Sequence, residues 1–202
     1  DGNDNIFSGT ENDVIYAQAG DDKIYSENGD DTIYAGSGND YIEAGYGADK
    51  IYSGSGNDTI NAGAGYDIIY YNRGDENDIV QGTELTTSFN TIRFGSTISK
   101  ENITFERISD DLKINILPLQ GTSVTDTITL KGFYLNNLIV ERLEFDNSQF
   151  LEFRSSTNGI DYLIFDNTSN TVNALAGDDY INTKAGNDII NAGAGNDVID
   201  GG

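Results

Sequence analysis

The stretch AGSGNDYIE at residues 35–43 is followed by a near copy, SGSGNDTIN, at 53–61. Both read Gly, one residue, Asp, then an Ile two places on. Set in rows of nine, the chain brings Asp4, Asp13, Asp22, Asp31, Asp40, Asp49, Asp58 and Asp67 into one column. Two columns later stand Ile6, Ile15, Ile24, Ile33, Ile42, Ile51, Ile60 and Ile69. Two columns before the Asp comes glycine, at Gly2, Gly20, Gly29, Gly38, Gly47, Gly56 and Gly65, with Glu11 the exception. Gly36, Gly45, Gly54 and Gly63 add a second glycine two places earlier. The frame returns as Asp161, Asp179, Asp188 and Asp197, with Gly177, Gly186, Gly193 and Gly195, and Asn170 stands where an Asp belongs.

A period of nine with one inward aliphatic residue fits a short strand, because neighbouring strand residues face opposite sides. The six remaining residues must turn, and Gly-x-Asp supplies the types that tolerate turn geometry. Two rows, eighteen residues, then complete one coil of two strands and two turns. Successive coils stack as parallel strands about 4.8 Å apart, and Ile from two facing sheets fills a thin core. A disordered acidic tract would fit the composition but not an Ile in the same column eight times running.

The charge needs a partner. The 202 residues carry a formal net charge of −23 with 37% hydrophobic residues, weak material for an ordinary core. Residues 83–155 hold 10 acidic and 7 basic side chains, and the repeats hold the other 24 acids against 4 bases. In the stacked coil, aspartates eighteen apart form columns along the edges and repel one another when bare. A calcium ion takes six to eight hard oxygens at about 2.3–2.6 Å, so opposite ligands lie about 5 Å apart, which matches the coil spacing. We therefore expect several calcium ions between consecutive turns, each taking a carboxylate from either side and completing its shell with glycine-turn carbonyls. Magnesium, with its tighter octahedron, fits worse. The metal set on this reading is the two Asp columns, with Asp78, and the glycines named above.

Other chemistries are poorly served. Cys and His are both absent, which removes thiolate sites, zinc ligation and the usual general bases. No Lys-Ser or Lys-Thr follows Gly38 or Gly56, so these are not phosphate loops, and the twelve-residue EF-hand loop is missing. Asp110 and Asp111 are adjacent acids, but strand neighbours point apart. No catalytic residues are expected, nor a nucleic-acid partner. No apolar run approaches the roughly 18 residues of a membrane span. Without any Met, and opening partway through a repeat, the chain is expected to be part of a longer protein.

Rows such as AGAGNDVID at 192–200 resemble the nonapeptide Gly-Gly-x-Gly-x-Asp-x-aliphatic-x of RTX proteins. The resemblance implies an all-β, right-handed parallel β-roll that folds on calcium. It also implies export from Gram-negative bacteria by type I secretion machinery. After Tyr71 the frame slips by two residues within NRGDENDIVQG, leaving Asp78 and Val80 as a shifted last row. Six apolar segments follow: NTIRF (90–94), NITFERI (102–108), DLKINIL (111–117), DTITLKGF (126–133), LIVERLEF (138–145) and QFLEF (149–153). Their alternation reads as strands of a small, mostly antiparallel β module. In this order they resemble the haemolysin-type calcium-binding related domain that interrupts RTX arrays. The expected organisation is a first roll at 1–82, a capping module at 83–155 and a second roll at 156–202.

Tyr16, Tyr34, Tyr52 and Tyr70, spaced by eighteen, should form a ladder on an outer face. It serves either as a platform for a host-surface glycan or protein, or as mutual stacking between coils. Three roles follow for the whole: a calcium-dependent structural and secretion module of an adhesin or toxin, a ligand-binding adhesion module, or a non-catalytic accessory to a secreted enzyme.

Overall fold

In a computed structural model the described residues are all β apart from one turn of 3-10 helix at Lys100–Asn102. It describes residues 1–82, 89–118, 126–133, 140–146, 150–152, 162–164, 171–174 and 176–202. The first block contributes β1 (Asn5–Phe7), β2 (Val14–Ala19), β3 (Lys23–Tyr25), β4 (Thr32–Ser37), β5 (Tyr41–Glu43) and β6 (Tyr46–Gly47). It continues with β7 (Lys50–Ser55), β8 (Thr59–Asn61), β9 (Ala64–Gly65), β10 (Ile68–Tyr71) and β11 (Asn77–Val80). The middle region adds β12 (Thr91–Phe94), β13 (Ile103–Ile108), β14 (Asp111–Ile116), β15 (Asp126–Leu130), β16 (Arg142–Glu144) and β17 (Phe150–Glu152). The second block has β18 (Tyr162–Ile164), β19 (Thr171–Asn173), β20 (Tyr180–Asn182), β21 (Ile189–Asn191) and β22 (Val198–Asp200).

The coil is eighteen residues, as the spacing requires. Ile6 pairs with Ile24 and Ile24 with Ile42 in one sheet, while Ile15 pairs with Ile33 and Ile33 with Ile51 in the facing one. Side chains of Ile24, Ile33, Ile42, Ile51 and Ile60 are fully buried between the sheets. Each buried Ile contributes about 2–3 kcal/mol by leaving water. The strands of one sheet are longer than the three residues expected: β2, β4 and β7 run for six. Small residues allow this, since Ala17, Ala35 and Ser53 follow the tyrosines inward and the pairing continues through Gly36 and Ser37.

All six apolar segments of the middle region become strands, but only part of them is antiparallel. One sheet has the order β1-β3-β5-β8-β11-β15-β14-β13 and the other β17-β16-β12-β10-β7-β4-β2. β12, β15 and β16 pair parallel with the strands before them, so the roll's sheets run on into the module. Antiparallel pairing begins beyond them, with β15-β14-β13 and β16-β17. The cores merge accordingly: Ile69 and Val80 belong to one cluster with Ile92, Phe94, Leu112, Ile114, Ile128 and Leu143. The second block keeps the same eighteen-residue register, Leu163 with Ile181 and Ile181 with Ile199, around its own core of Val172, Ala174 and Ile181.

Every glycine assigned to the turns has a positive φ. Gly36 shows why no other residue serves: a Cβ there would strike the carbonyl of Gln18 in the coil before. Gly9, at φ 113°, has nothing within 4 Å of such a Cβ. Gly36→Ala is therefore expected to cost about 3 kcal/mol or more, against about 1–2 for Gly9→Ala. Urea unfolding in calcium measures both, and equal losses would contradict this packing.

Candidate metal sites

The aspartates lie two residues before the buried aliphatic position and so point to the same side of the strand. Asp22, Asp31, Asp40, Asp49, Asp58, Asp67, Asp78 and Asp179 are all buried. Asp13, Asp188 and Asp197 are half-buried and Asp4, in the first coil, is exposed. Asp161 lies outside the described residues.

Each carboxylate is used unevenly. From Asp22 onward in the first roll, Oδ1 accepts a hydrogen bond from the backbone N–H of the aspartate one coil earlier: Asp4 to Asp22, Asp13 to Asp31, Asp22 to Asp40 and Asp40 to Asp58, each at 2.8 Å. The register persists across the frame slip, where Asp58 N–H donates to Asp78 Oδ1 at 3.0 Å. It recurs in the second block, from Asp179 to Asp197 at 3.1 Å. The other oxygen, Oδ2, of Asp13, Asp22, Asp31, Asp40, Asp49 and Asp58 is buried with no hydrogen-bond partner. A buried polar atom left so costs about 1–3 kcal/mol, more when charged.

Sequence reasoning missed two contributors to this stack. The residue between Gly and Asp forms a second ladder running the opposite way. Asp21 N–H donates to Asn3 Oδ1 at 2.9 Å, Asn39 N–H to Asp21 Oδ1 at 2.8 Å and Asn57 N–H to Asn39 Oδ1 at 2.9 Å. The signal was the Asn or Asp that fills this column in most rows. The second contributor is Asn90, whose Oδ1 accepts from Asp67 N–H at 3.2 Å and so ends one aspartate column with a neutral amide. Gln18, Glu27 and Lys184 also hold positive φ where later rows have glycine.

Burial pushes up four carboxyls of the later coils of the first roll. Asp49 and Asp58 rise to about 7 and Asp78 to about 8, through burial first and neighbouring carboxylates after it. Asp40 shifts the same way for the same reasons. Without a counter-charge the stack is a folding penalty. A hard divalent cation fits the donor set: Asp13, Asp22, Asp31, Asp40, Asp49 and Asp58 each offer one buried oxygen without a hydrogen-bond partner. The carbonyls of Gly20, Gly29 and Gly38 lie between successive turns, where a side chain at Gly38, Gly47 or Gly56 would meet them. Among the described residues no three acidic side chains converge on one point, so carbonyls or water must complete each shell.

The tyrosine ladder is present. Ring centroids are 4.8 Å apart for Tyr16 and Tyr34, 4.6 Å for Tyr34 and Tyr52, and 4.1 Å for Tyr52 and Tyr70, all stacked. The Arg93 guanidinium lies 5.5 Å from the Tyr70 ring centre and pairs with Glu144 at 2.7 Å. Tyr34 and Tyr52 thus have a ring on each face, which leaves edges rather than faces to a ligand. Asp111 is tied by Lys131 at 2.6 Å and by Gly132 N–H at 2.9 Å.

A family model of the RTX calcium-binding nonapeptide repeat (4 copies) matches residues 1–33, 34–69 and 166–202. No curated protein matches the chain.

The raised carboxyls fix a sign. In the unfolded chain they lose their protons near pH 4, in the folded metal-free chain only near 7–8, so between these values the folded state binds more protons. Metal-free stability therefore falls as pH rises from about 4 to 8. In chelator, the strand signal in circular dichroism should grow as pH is lowered from 8 to 5, and a fall would contradict the assignment. Asp49→Asn, which keeps the bond from Asp31 N–H, should raise the metal-free melting temperature. In calcium it should cost about 1–3 kcal/mol.

Proposed function

The chain belongs to the RTX calcium-binding nonapeptide repeat family, and from that premise we propose that it is a calcium-triggered folding module of a protein secreted by a Gram-negative bacterium. One observation carries this reading: the buried carboxylate oxygen without a partner that recurs at nine-residue intervals from Asp13 to Asp58.

Where calcium is scarce, as inside a cell, repulsion among the stacked acids opposes the coil, and an unfolded acidic chain suits passage through a narrow type I export channel. Where calcium is abundant, each ion cancels charge between two turns and gives the second oxygen a ligand. A site at ten times its dissociation constant contributes about 1.4 kcal/mol, so about eight coupled sites supply about 10 kcal/mol. That is comparable with the whole stability of a small domain. Because neither turn forms the site alone, binding and folding are one event.

The role we assign is structural, in an adhesin or toxin, with no catalytic part. The region at 83–155 supports a structural role: a roll exposes strand edges at its ends, and at the end of the first roll β15 and β12 pair with β11 and β10, with the antiparallel β14–β13 and β16–β17 pairings beyond them. No helix among the described residues is long and apolar enough to cross a membrane. Circular dichroism across a calcium titration is the test. Strand signal should rise over a narrow calcium range from a mostly disordered spectrum in chelator, and an unchanged spectrum would overturn the proposal.

A further inference from the structure

The seam between the first roll and the module holds acids that the nonapeptide turns do not account for. Gly74-Asp75-Glu76-Asn77-Asp78 leads into the same aspartate column as Gly54-Ser55-Gly56-Asn57-Asp58, with Gly74 at φ 90° and Glu76 at φ 70°, but a Cβ at Gly74 would have nothing within 4 Å where one at Gly54 would meet the Gly36 carbonyl, so the segment leaves the stack of turns. In sequence Asp75 lies three places before Asp78, as the exposed Ser37 and Ser55 lie three places before Asp40 and Asp58. Asp75 is only 8% exposed, because β15 lies alongside, Asn77 paired with Thr127 and Asp78 with Ile128.

β15 brings a further acid, Asp126, 3% exposed. Its Oδ2 accepts from Gly74 N–H at 3.0 Å, and its Oδ1 is buried without a partner. Asp75 is fixed by Asn72 N–H at 2.7 Å, and the charge of Asp126 bears on it directly. Asp58, Asp75, Asp78 and Asp126 all act on the buried Tyr71 hydroxyl, which is occupied in donating to the Glu76 carbonyl at 2.6 Å.

The described neighbouring arginine is engaged elsewhere. Arg73 is adjacent in sequence, yet its guanidinium donates to the carbonyls of Thr97 at 3.0 Å and Leu117 at 2.6 Å. Arg93 pairs with Glu144 and Lys131 with Asp111, both away from the seam.

We propose that Asp75 and Asp126 hold one further hard divalent cation, outside the nonapeptide columns, that fastens the module to the last turn of the first roll. The donors are all oxygen, which selects calcium-like ions over zinc or copper. The identification of the ion as calcium rests on the function proposed above. The consequence is new: docking of the module, and not only stacking of the coils, becomes calcium-dependent.

Native mass spectrometry of the whole chain, with calcium as the only added metal, counts the ions. Asp126→Asn keeps an oxygen for Gly74 N–H and should bind one ion fewer than the natural sequence. Asp75→Asn should lose the same single ion, and the double variant no more than that one. Combined with Asp22→Asn, which removes a nonapeptide ligand far from the seam, the losses should add. Unchanged counts in a folded Asp126→Asn and a folded Asp75→Asn would overturn the proposal, as would unchanged counts with higher melting temperatures, the mark of a proton shared between the two acids. If Asp126→Asn does not fold, the count for Asp75→Asn decides. If the natural sequence binds no calcium at all, the proposed function fails with it, whereas a seam that loses nothing while Asp22→Asn does leaves that function intact.

Discussion

The fold depends on a carboxylate shared between neighbouring coils. Asp22, Asp31, Asp40, Asp49 and Asp58 each give one oxygen to the backbone N–H of the coil before and keep the other buried without a hydrogen-bond partner. The first half of that arrangement stacks the turns at strand spacing. The second half leaves the stack short of positive charge. A coil held by its Ile core alone would carry a row of desolvated anions, a cost that a thin core is poorly placed to offset. The same side chains therefore give the roll its register and make its stability conditional on a cation.

The module solves a different problem with different material. It has nearly balanced charge and few glycines, and its inward residues are large: Phe94, Leu112, Leu130, Leu143 and Phe145. Its first strands keep the parallel register of the roll, and the chain then reverses. That reversal pairs a sheet edge that a further coil would otherwise have to cover. Asn90 makes the same transition at the turns, where it takes the place of an aspartate and ends the charged column. Cation-dependent stacking thus passes into ordinary hydrophobic packing within one continuous core.

Periodicity made much of this legible. The eighteen-residue register, the inward Ile, the positive-φ glycines and the tyrosine stack each follow from a residue recurring in one column, because a solenoid converts sequence spacing directly into contact. What the sequence did not disclose was how each carboxylate divides its two oxygens, since either could face the neighbouring coil. The opposed ladder through Asn3, Asp21, Asn39 and Asn57 went unread because such residues are also common in solvated turns. The mixed pairing of β12, β15 and β16 was hidden for a third reason. Alternating apolar residues mark a strand but carry no information about the direction of its partner, and here the partner is supplied by the roll.

Diffraction from crystals grown in calcium, recorded where calcium scatters anomalously, tests the central claim most directly. Anomalous peaks are expected between consecutive turns along both edges of the first roll, within about 2.3–2.6 Å of the second carboxylate oxygens. Ordered coils with those oxygens bonded only to water, and no anomalous signal beside them, would contradict it.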